Sequence, residues 1–138
     1  MIKRIGKKQV LKTLHELVDE FGVDYVYKSP DRFEDDPDGP TCFYTNADGT
    51  PSCAAGHVFF RLTPELYDGI RVVEDESHLS FSLGSSAWVE IPVQGETKRI
   101  GDYLTKAAIR ILANMQERQD SGTAWGPALD RTEKVETL

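Results

Sequence analysis

The residues best suited to chemistry are two cysteines and a histidine within the segment Thr41 to Leu62, TCFYTNADGTPSCAAGHVFFRL. Cys53 and His57 are four residues apart, so they would share a face of a helix. A thiol near a helix N-terminus has its thiolate favoured by the backbone N–H groups and the helix dipole. The spacing would therefore suit a nucleophile with an adjacent base. No third group that would orient His57 and no cysteine-hydrolase motif can be named, and the alternative is that the cysteines are small buried hydrophobic residues.

The same segment offers an incomplete set of metal ligands. Cys53 and His57 are closely spaced, but Cys42 and His78 would have to join them from a distance to complete the four ligands of structural zinc. The acidic run that precedes the segment begins like a calcium-binding loop, but Pro37 interrupts it. We therefore predict that the protein has no metal and no cofactor.

Charge is unevenly distributed along the chain. The net charge is −7, yet the first twelve residues carry +5, so the remainder carries −12. Because an acidic body repels phosphate backbones, we expect no nucleic-acid partner. The basic start is most simply a solvated helix face, with a docking patch as the alternative. The acidic run is most simply a solvated loop, and its candidate contact residues are Glu34, Asp35, Asp36 and Asp38.

Length and composition predict one ordinary globular domain spanning residues 1–138. The chain is 39% hydrophobic and 28% charged, which is typical of folded proteins. No apolar run approaches the ~20 residues of a membrane span, so we expect no membrane association. The basic start lacks the apolar core and cleavage site of a signal peptide. These features predict a cytoplasmic protein.

Hydrophobic periodicity in the first half of the chain predicts helices separated by short strands. Apolar residues at helical spacing predict a helix over Val10 to Phe21 that stops at Gly22. Thr63 and Pro64 are typical of a helix start. The other predicted elements are a strand over Val23 to Lys28, a loop over Ser29 to Pro40, a strand over Cys42 to Thr45, a turn over Asn46 to Gly49, and a helix from Pro51 or Ser52 to about Leu62.

The second half of the chain contains the longest unbroken apolar stripe, which predicts one helix from about Lys98 to Gln119. Strands are predicted over Ile70 to Val73, Leu79 to Leu83 and Ala87 to Val93, with a turn over Gly84 to Ser86. A short helix is predicted over Thr123 to Leu129, and the last nine residues are expected to fray. The predicted fold is α+β, with a small, mainly antiparallel sheet packed against three helices, of which the longest is C-terminal.

Several segments together resemble a family. DGTPSCAAGHVFFRL, preceded by a Cys-Phe-Tyr strand, resembles a box in small uncharacterised proteins of actinobacterial phages and prophages. QERQDSG (residues 116–122), followed by Trp125 and Gly126, is similar to their closing box, and the helix ending EFG and the segment YVY occur in the same order. The resemblance implies a phage-type accessory protein expressed in the host cytoplasm, and it implies no activity.

Three functional hypotheses follow. The leading one is a non-enzymatic protein that acts through a host or phage protein partner, or as a homodimer, with Tyr44 and Phe60 as candidate contact residues. This hypothesis predicts an exposed apolar patch and buried thiols. The second is a small hydrolase or ligand-binding enzyme, which predicts Cys53 exposed in a cleft beside His57. The third is an acidic nucleic-acid mimic, which predicts that the carboxylates from Asp31 to Asp38 share one face with Asp75 and Glu76.

Overall fold

The computed structural model describes residues 4–28, 43–77 and 89–136. These residues form six helices and one two-stranded antiparallel sheet, so the α+β prediction is confirmed in its broad form, whereas the prediction of three helices is wrong. The elements are α1 (Lys7–Phe21), α2 (Ala54–Leu62), α3 (Pro64–Ser77), β1 (Ile91–Val93), β2 (Glu96–Lys98), α4 (Ile100–Tyr103), α5 (Lys106–Asp120) and α6 (Trp125–Glu136).

The first helix forms where its apolar spacing predicts. Val10, Leu14 and Leu17 are buried on one face of α1. Gly22 ends the helix with φ 101°, a conformation open to glycine, and its N–H donates to the Val18 carbonyl at 2.8 Å. α1 and α5 have 15 residues each, so among the described helices the predicted C-terminal helix is no longer than the N-terminal one.

The next helix is set by a turn and a cap. The predicted turn is present, since the Gly49 N–H donates to the Asn46 carbonyl at 3.0 Å. Cys53 is extended and acts as the N-cap, so α2 begins at Ala54, slightly later than predicted. The residues from Phe43 to Thr45 form no strand, because Thr45 makes only an isolated bridge with Pro51. Cys42 lies outside the described residues.

The strand predicted over Ile70 to Val73 is wrong, because these residues lie within α3. The buried residues Leu66, Ile70 and Glu74 recur every four positions, which is a helical period. Because Glu74 is charged, a search for apolar residues alone does not detect this helical spacing.

The sheet is smaller than predicted and packs against a different helix. β1 pairs antiparallel with β2, with Ile91 opposite Lys98 and Val93 opposite Glu96. The connecting residues Gln94 and Gly95 both have positive φ, as a tight two-residue hairpin requires. β1 packs chiefly against α3, whereas the predicted sheet packs against the N-terminal helix, the helix predicted to contain Cys53 and the long C-terminal helix. The predicted elements at 79–83 and 84–86 lie outside the described residues.

The long helix predicted from Lys98 to Gln119 is broken into α4 and α5. Leu104 is extended and forms a parallel bridge with Ile5, whose N–H donates to the Tyr103 carbonyl and whose carbonyl accepts from the Thr105 N–H. The Thr105 hydroxyl then accepts from the Ala108 N–H and restarts the helix. The apolar stripe continues across the break, which is why periodicity alone does not reveal it.

Residues 23–28 form no strand, and their role is to cap the last helix. The carbonyls of Tyr25 and Val23 accept hydrogen bonds from the Trp125 and Gly126 N–H groups at the start of α6. Gly126 is required here, because a Cβ at that position would lie 2.7 Å from the Val23 carbonyl oxygen. The polar C-terminal residues, for which the sequence predicts fraying, continue α6 as far as Glu136.

The core lies where α1, α2, α5 and α6 pack together, with α3 joined through α2. Its largest fully buried side chains include Trp125, Tyr44, Tyr67 and Phe59. Within the ranges that the structure describes, no helix has the length and apolar character needed to cross a membrane.

Candidate interaction site

Cys53 is placed for structure more than for reaction. Its side chain is fully buried, and the sulfur accepts a hydrogen bond from the Gly56 N–H at 3.4 Å, which satisfies one unpaired donor at the start of α2. Across the part of the chain described, no hydrogen bond joins this thiol to the His57 ring. Cys53 is the N-cap that precedes α2 and His57 lies within α2, and the exposed thiol beside a base that the hydrolase hypothesis predicts is not present.

His57 packs among aromatic rings. Its ring centroid lies 5.1 Å from that of Phe21 and 6.0 Å from that of Trp125, both edge-on. The pKa of His57 is lowered to about 4, chiefly by burial and also by the nearby charge of Arg61, while the carboxylate of Glu20 partly opposes both effects. The imidazole is therefore neutral near pH 7 and serves as a ring in an aromatic cluster.

That cluster joins three elements. The Trp125 ring lies 4.6 Å from Tyr25 and 5.2 Å from Phe21, so it links the start of α6 to the end of α1 and to the segment that follows. Trp125 itself is fully buried, whereas Phe21 is 37% exposed. The cluster thus has a buried base and an exposed edge.

Four large hydrophobic side chains are exposed in the two segments that meet at His57, and we call them the exposed apolar surface: Phe21 37%, Val23 58%, Val26 52% and Phe60 49%. Phe21 contacts His57 directly, and Phe60 lies one helical turn after His57 on α2. The Phe60 ring also packs edge-on against Tyr67 of α3 at 5.2 Å. Exposed large apolar side chains on adjoining segments are candidates for a protein contact.

An ion pair borders this surface and ties its two segments together. Arg61 of α2 donates to Glu20 of α1 at 2.5 Å. These residues directly follow Phe60 and directly precede Phe21 in the chain. The hydrogen bond from Arg61 and its positive charge lower the pKa of the Glu20 carboxyl. The pair therefore helps to fix the end of α1 against α2.

Buried polar side chains hold the segment that leads into α2. Both oxygens of the buried Glu74 carboxylate accept hydrogen bonds, from the Tyr44 N–H, the Thr45 N–H and the Thr45 hydroxyl, at 2.6–2.9 Å. The Tyr44 hydroxyl accepts from the Gln116 side chain at 2.9 Å. Tyr44, a predicted contact residue, is fully buried and belongs to the core, whereas Phe60 is exposed as a contact residue must be.

A second polar anchor lies at the far end of this segment. The Gln119 side-chain oxygen accepts from the Ala54 N–H at 2.9 Å and from the Trp125 ring N–H at 3.1 Å. One buried amide therefore satisfies a donor at the start of α2 and the indole at the start of α6. Gly56 allows the segment to pack this closely, because a Cβ there would lie 2.1 Å from the Tyr44 carbonyl oxygen.

A groove of about 400 Å³ lies between α3 and the hairpin and contains neither Cys53 nor His57. Its polar lining residues Glu65, Asp68 and Gln94 are exposed. The groove is thus separate from the segment Thr41 to Leu62 that contains the cysteines, which we call the cysteine segment.

The remaining sequence predictions concern the acidic run and the metal ligands. Cys42, Glu34, Asp35, Asp36 and Asp38 lie outside the described residues, as does His78. Among residues 4–28, 43–77 and 89–136, no three histidine, cysteine or acidic side chains are close enough together to hold a metal ion.

Sequence reasoning missed the exposed edge of the aromatic cluster and the buried polar anchors. Phe21 belongs to the apolar stripe of α1, and nothing in that stripe shows that its last member reaches the surface. The position of Glu74 is recoverable from the sequence, since it continues the four-residue spacing of Leu66 and Ile70. The partners of Gln116 and Gln119 depend on contacts that are remote in sequence.

Comparison of the chain with family models, curated proteins and solved structures gives no match. Function is therefore inferred from the side chains themselves.

Proposed function

We propose that the chain is a non-enzymatic, phage-type accessory protein that acts in the host cytoplasm by binding a protein partner. The observation that carries this proposal is the exposed apolar surface formed by Phe21, Val23, Val26 and Phe60. The resemblance to phage and prophage proteins supports a role in the host cytoplasm. The exposed apolar surface supports binding to a protein partner.

The surface is suited to binding because its aromatic residues are held in place before a partner arrives. Phe21 rests on His57 and Trp125, and Phe60 rests on Tyr67. Fully burying a phenylalanine side chain contributes roughly 1.5–3 kcal/mol, and Phe60, which is 49% exposed, can still gain about half of that from a partner. Aromatic side chains at the centre of an interface commonly contribute most of its binding free energy.

The buried state of Cys53 supports the same proposal against the hydrolase alternative. A nucleophilic thiol must reach substrate, and it must be activated by a base or by a lowered pKa. Cys53 is fully buried, and its sulfur caps a helix. His57, the only base that its spacing suggests, packs against Phe21 and Trp125.

The test is quantitative affinity capture from actinobacterial host lysate with the wild-type protein and the variants Phe60→Ser and Val135→Ser. Val135, on α6, is 46% exposed, which makes it a matched control outside the exposed apolar surface. We expect at least one captured protein whose recovery falls roughly tenfold with Phe60→Ser, as loss of about 1.4 kcal/mol implies. Recovery should be unchanged with Val135→Ser. Identical captured sets for all three proteins would contradict the proposal.

A second copy of the chain is the alternative partner, and it is distinguished by mass in solution. Sedimentation of the wild-type protein over a wide concentration range should give a monomer if the partner is another protein. A dimer that Phe60→Ser dissociates and Val135→Ser preserves would identify the partner as the chain itself.

A further inference from the structure

The positively charged side chains of the described residues differ in whether they are paired. Arg61, Arg71, Lys98, Arg99 and Lys134 each form an ion pair with a carboxylate. Of the exposed cations that have no such partner within the described parts of the chain, Lys28 and Arg131 lie elsewhere, and five lie close to the starts of α1 and α5. We call these five the basic end: Arg4, Lys7, Lys8, Lys12 and Lys106.

The fold brings these five cations to one end of the molecule. Ile5 forms a parallel bridge with Leu104, and its carbonyl accepts from the Thr105 N–H at 3.0 Å. α1 and α5 therefore start side by side and run in the same direction. Lys7 and Lys106 are the first residues of these two helices.

The helix starts at the basic end lack the acidic side chains that usually stabilise them. Residues 1–15 and 103–116 contain no aspartate or glutamate, and neither α1 nor α5 has an acidic residue in its first turn. Helix N-termini carry partial positive charge and normally attract acidic side chains, whereas cations there are destabilising. A departure from a local stability rule is typical of functional surfaces. An external anion would relieve both the mutual repulsion and the interaction with the helix dipoles.

We infer that the basic end binds a short, carboxylate-rich segment of a partner protein. A long phosphate backbone suits it less, because α1 becomes acidic at Glu16, Asp19 and Glu20, starting roughly 6 Å along the axis from Lys12. The chain beyond the first twelve residues carries −12, and repulsion acts over a screening length of about 8–10 Å. A short acidic segment meets the cations without extending over these carboxylates.

This inference does not depend on the exposed apolar surface. The basic end lies at the start of α1 and that surface at its end, and a 15-residue helix separates them by roughly 20 Å. The two surfaces can therefore be tested with separate variants.

The test is fluorescence anisotropy with a labelled decapeptide of alternating glutamate and alanine, at low and at physiological ionic strength. The variant Lys8→Gln/Lys12→Gln/Lys106→Gln should bind this peptide about tenfold more weakly than the wild type, since it loses three exposed charge pairs. The control variant Lys28→Gln/Arg61→Gln/Arg71→Gln has the same change in net charge at other positions, and it should bind within about twofold of the wild type.

Three further measurements decide between a specific acidic-peptide site and its competitors. A decapeptide with glutamine in place of glutamate should not bind. Tighter binding of a single-stranded oligonucleotide, or of vesicles containing phosphatidylglycerol, would overturn the inference in favour of a nucleic acid or a membrane surface. Equal weakening in the control variant would overturn it in favour of a non-specific effect of net charge, and absence of binding by the wild type would also overturn it.

A thermal melt of the unliganded variants separates binding from a structural role. Removing cations from the positive ends of α1 and α5 should leave the midpoint of Lys8→Gln/Lys12→Gln/Lys106→Gln unchanged or raise it. A clear fall of that midpoint would show that these lysines stabilise the fold, and it would overturn the inference.

Discussion

The two ends of the segment from Tyr44 to Ala54 are both anchored by buried polar side chains, but the anchors differ in charge. At the first end, the Glu74 carboxylate accepts three hydrogen bonds from Tyr44 and Thr45. At the second end, the neutral Gln119 amide oxygen accepts one hydrogen bond from the Ala54 N–H and one from the Trp125 ring. The charged anchor holds a loop, and the neutral anchor joins two helix starts.

The two anchors indicate that the cysteine segment has a structural role. A carboxylate makes stronger hydrogen bonds than an amide but tolerates burial only when its oxygens are satisfied. Glu74 meets that condition with backbone donors, so the loop conformation and the buried charge depend on each other. Cys53 lies between the two anchors as a helix cap. The residues that resemble a reactive site are therefore part of a structural clamp, and the exposed Phe60 lies beyond it on α2.

The charged anchor should give the largest loss of stability when removed. Glu74→Ala leaves the Tyr44 N–H, the Thr45 N–H and the Thr45 hydroxyl without their carboxylate acceptor, and each buried unsatisfied donor costs about 1–3 kcal/mol. We expect the free energy of unfolding to fall by at least about 3 kcal/mol, measured by urea titration.

The control for this variant is Asp75→Ala, the neighbouring position, which is exposed and pairs with Arg71 at 3.6 Å. An exposed ion pair contributes only about 0–1 kcal/mol, so this change should be small. Equal losses in the two variants would show that the buried carboxylate is not a special anchor.

The neutral anchor should give a smaller loss. Gln119→Ala removes one oxygen that serves two donors, the Ala54 N–H and the Trp125 ring N–H, and we expect a loss of about 2–3 kcal/mol. Glu117→Ala changes an exposed residue of the same helix and should alter stability by less than about 0.5 kcal/mol. If Gln119→Ala proved more harmful than Glu74→Ala, the ranking by charge would be wrong.

The elements that follow local rules could be predicted from the sequence. α1 ends at Gly22, and α3 starts at Pro64 directly after Thr63, because caps and breakers act within a few residues. The break at Leu104 could not be predicted, since the pairing partner Ile5 is remote in sequence. Residues 23–28 alternate like a strand, yet their carbonyls cap α6.

The candidate site was predictable only in part for the same reason. Phe60 was identified, but the exposure of Phe21 depends on where α1 ends relative to α2 and α6. Tyr44 was predicted as a candidate contact residue, but it is fully buried, and its hydroxyl accepts a hydrogen bond from Gln116 of α5. The spacing of Cys53 and His57 predicted a shared helix face, whereas Cys53 is the N-cap before α2. Whether a thiol is buried depends on the elements packed over it.

The histidine of the aromatic cluster predicts a pH effect of intermediate size. The pKa of His57 is about 4 in the folded protein against 6.5 ordinarily, chiefly because of burial. As the pH falls from about 6.5 towards 4, the unfolded chain takes up a proton that the folded protein does not, so stability is lost over this window. Allowing for solvent screening of this partly exposed ring, we expect a loss of about 1–2 kcal/mol between pH 7 and pH 5.

The matched variant for this effect is His57→Phe, which keeps an aromatic ring between Phe21 and Trp125. Its stability should change less than that of the wild type between pH 7 and pH 5, as measured by urea titrations at both values. The pKa values of Glu20 and Asp48 are lowered in the folded protein, so their contributions are lost at still lower pH. Parallel pH curves for the two proteins would show that another group causes the loss.

The helix cap formed by Cys53 predicts the smallest effect on stability and a slow rate of reaction with thiol reagents. Cys53→Ser replaces one capping acceptor with another, so it should change the free energy of unfolding by less than about 1 kcal/mol.

In a Cys42→Ser background, Cys53 is the one remaining thiol. Because it is fully buried, a thiol reagent should reach it only through local opening of the start of α2. We expect labelling at least about a hundredfold slower than in denaturant, which corresponds to an opening free energy of about 3 kcal/mol. The exposed control thiol is Ala47→Cys in a background without Cys42 and Cys53, and it should label at the denatured rate. If Cys53 reacted as fast as that control, its sulfur would be accessible, and the hydrolase hypothesis would replace the clamp as the account of this segment.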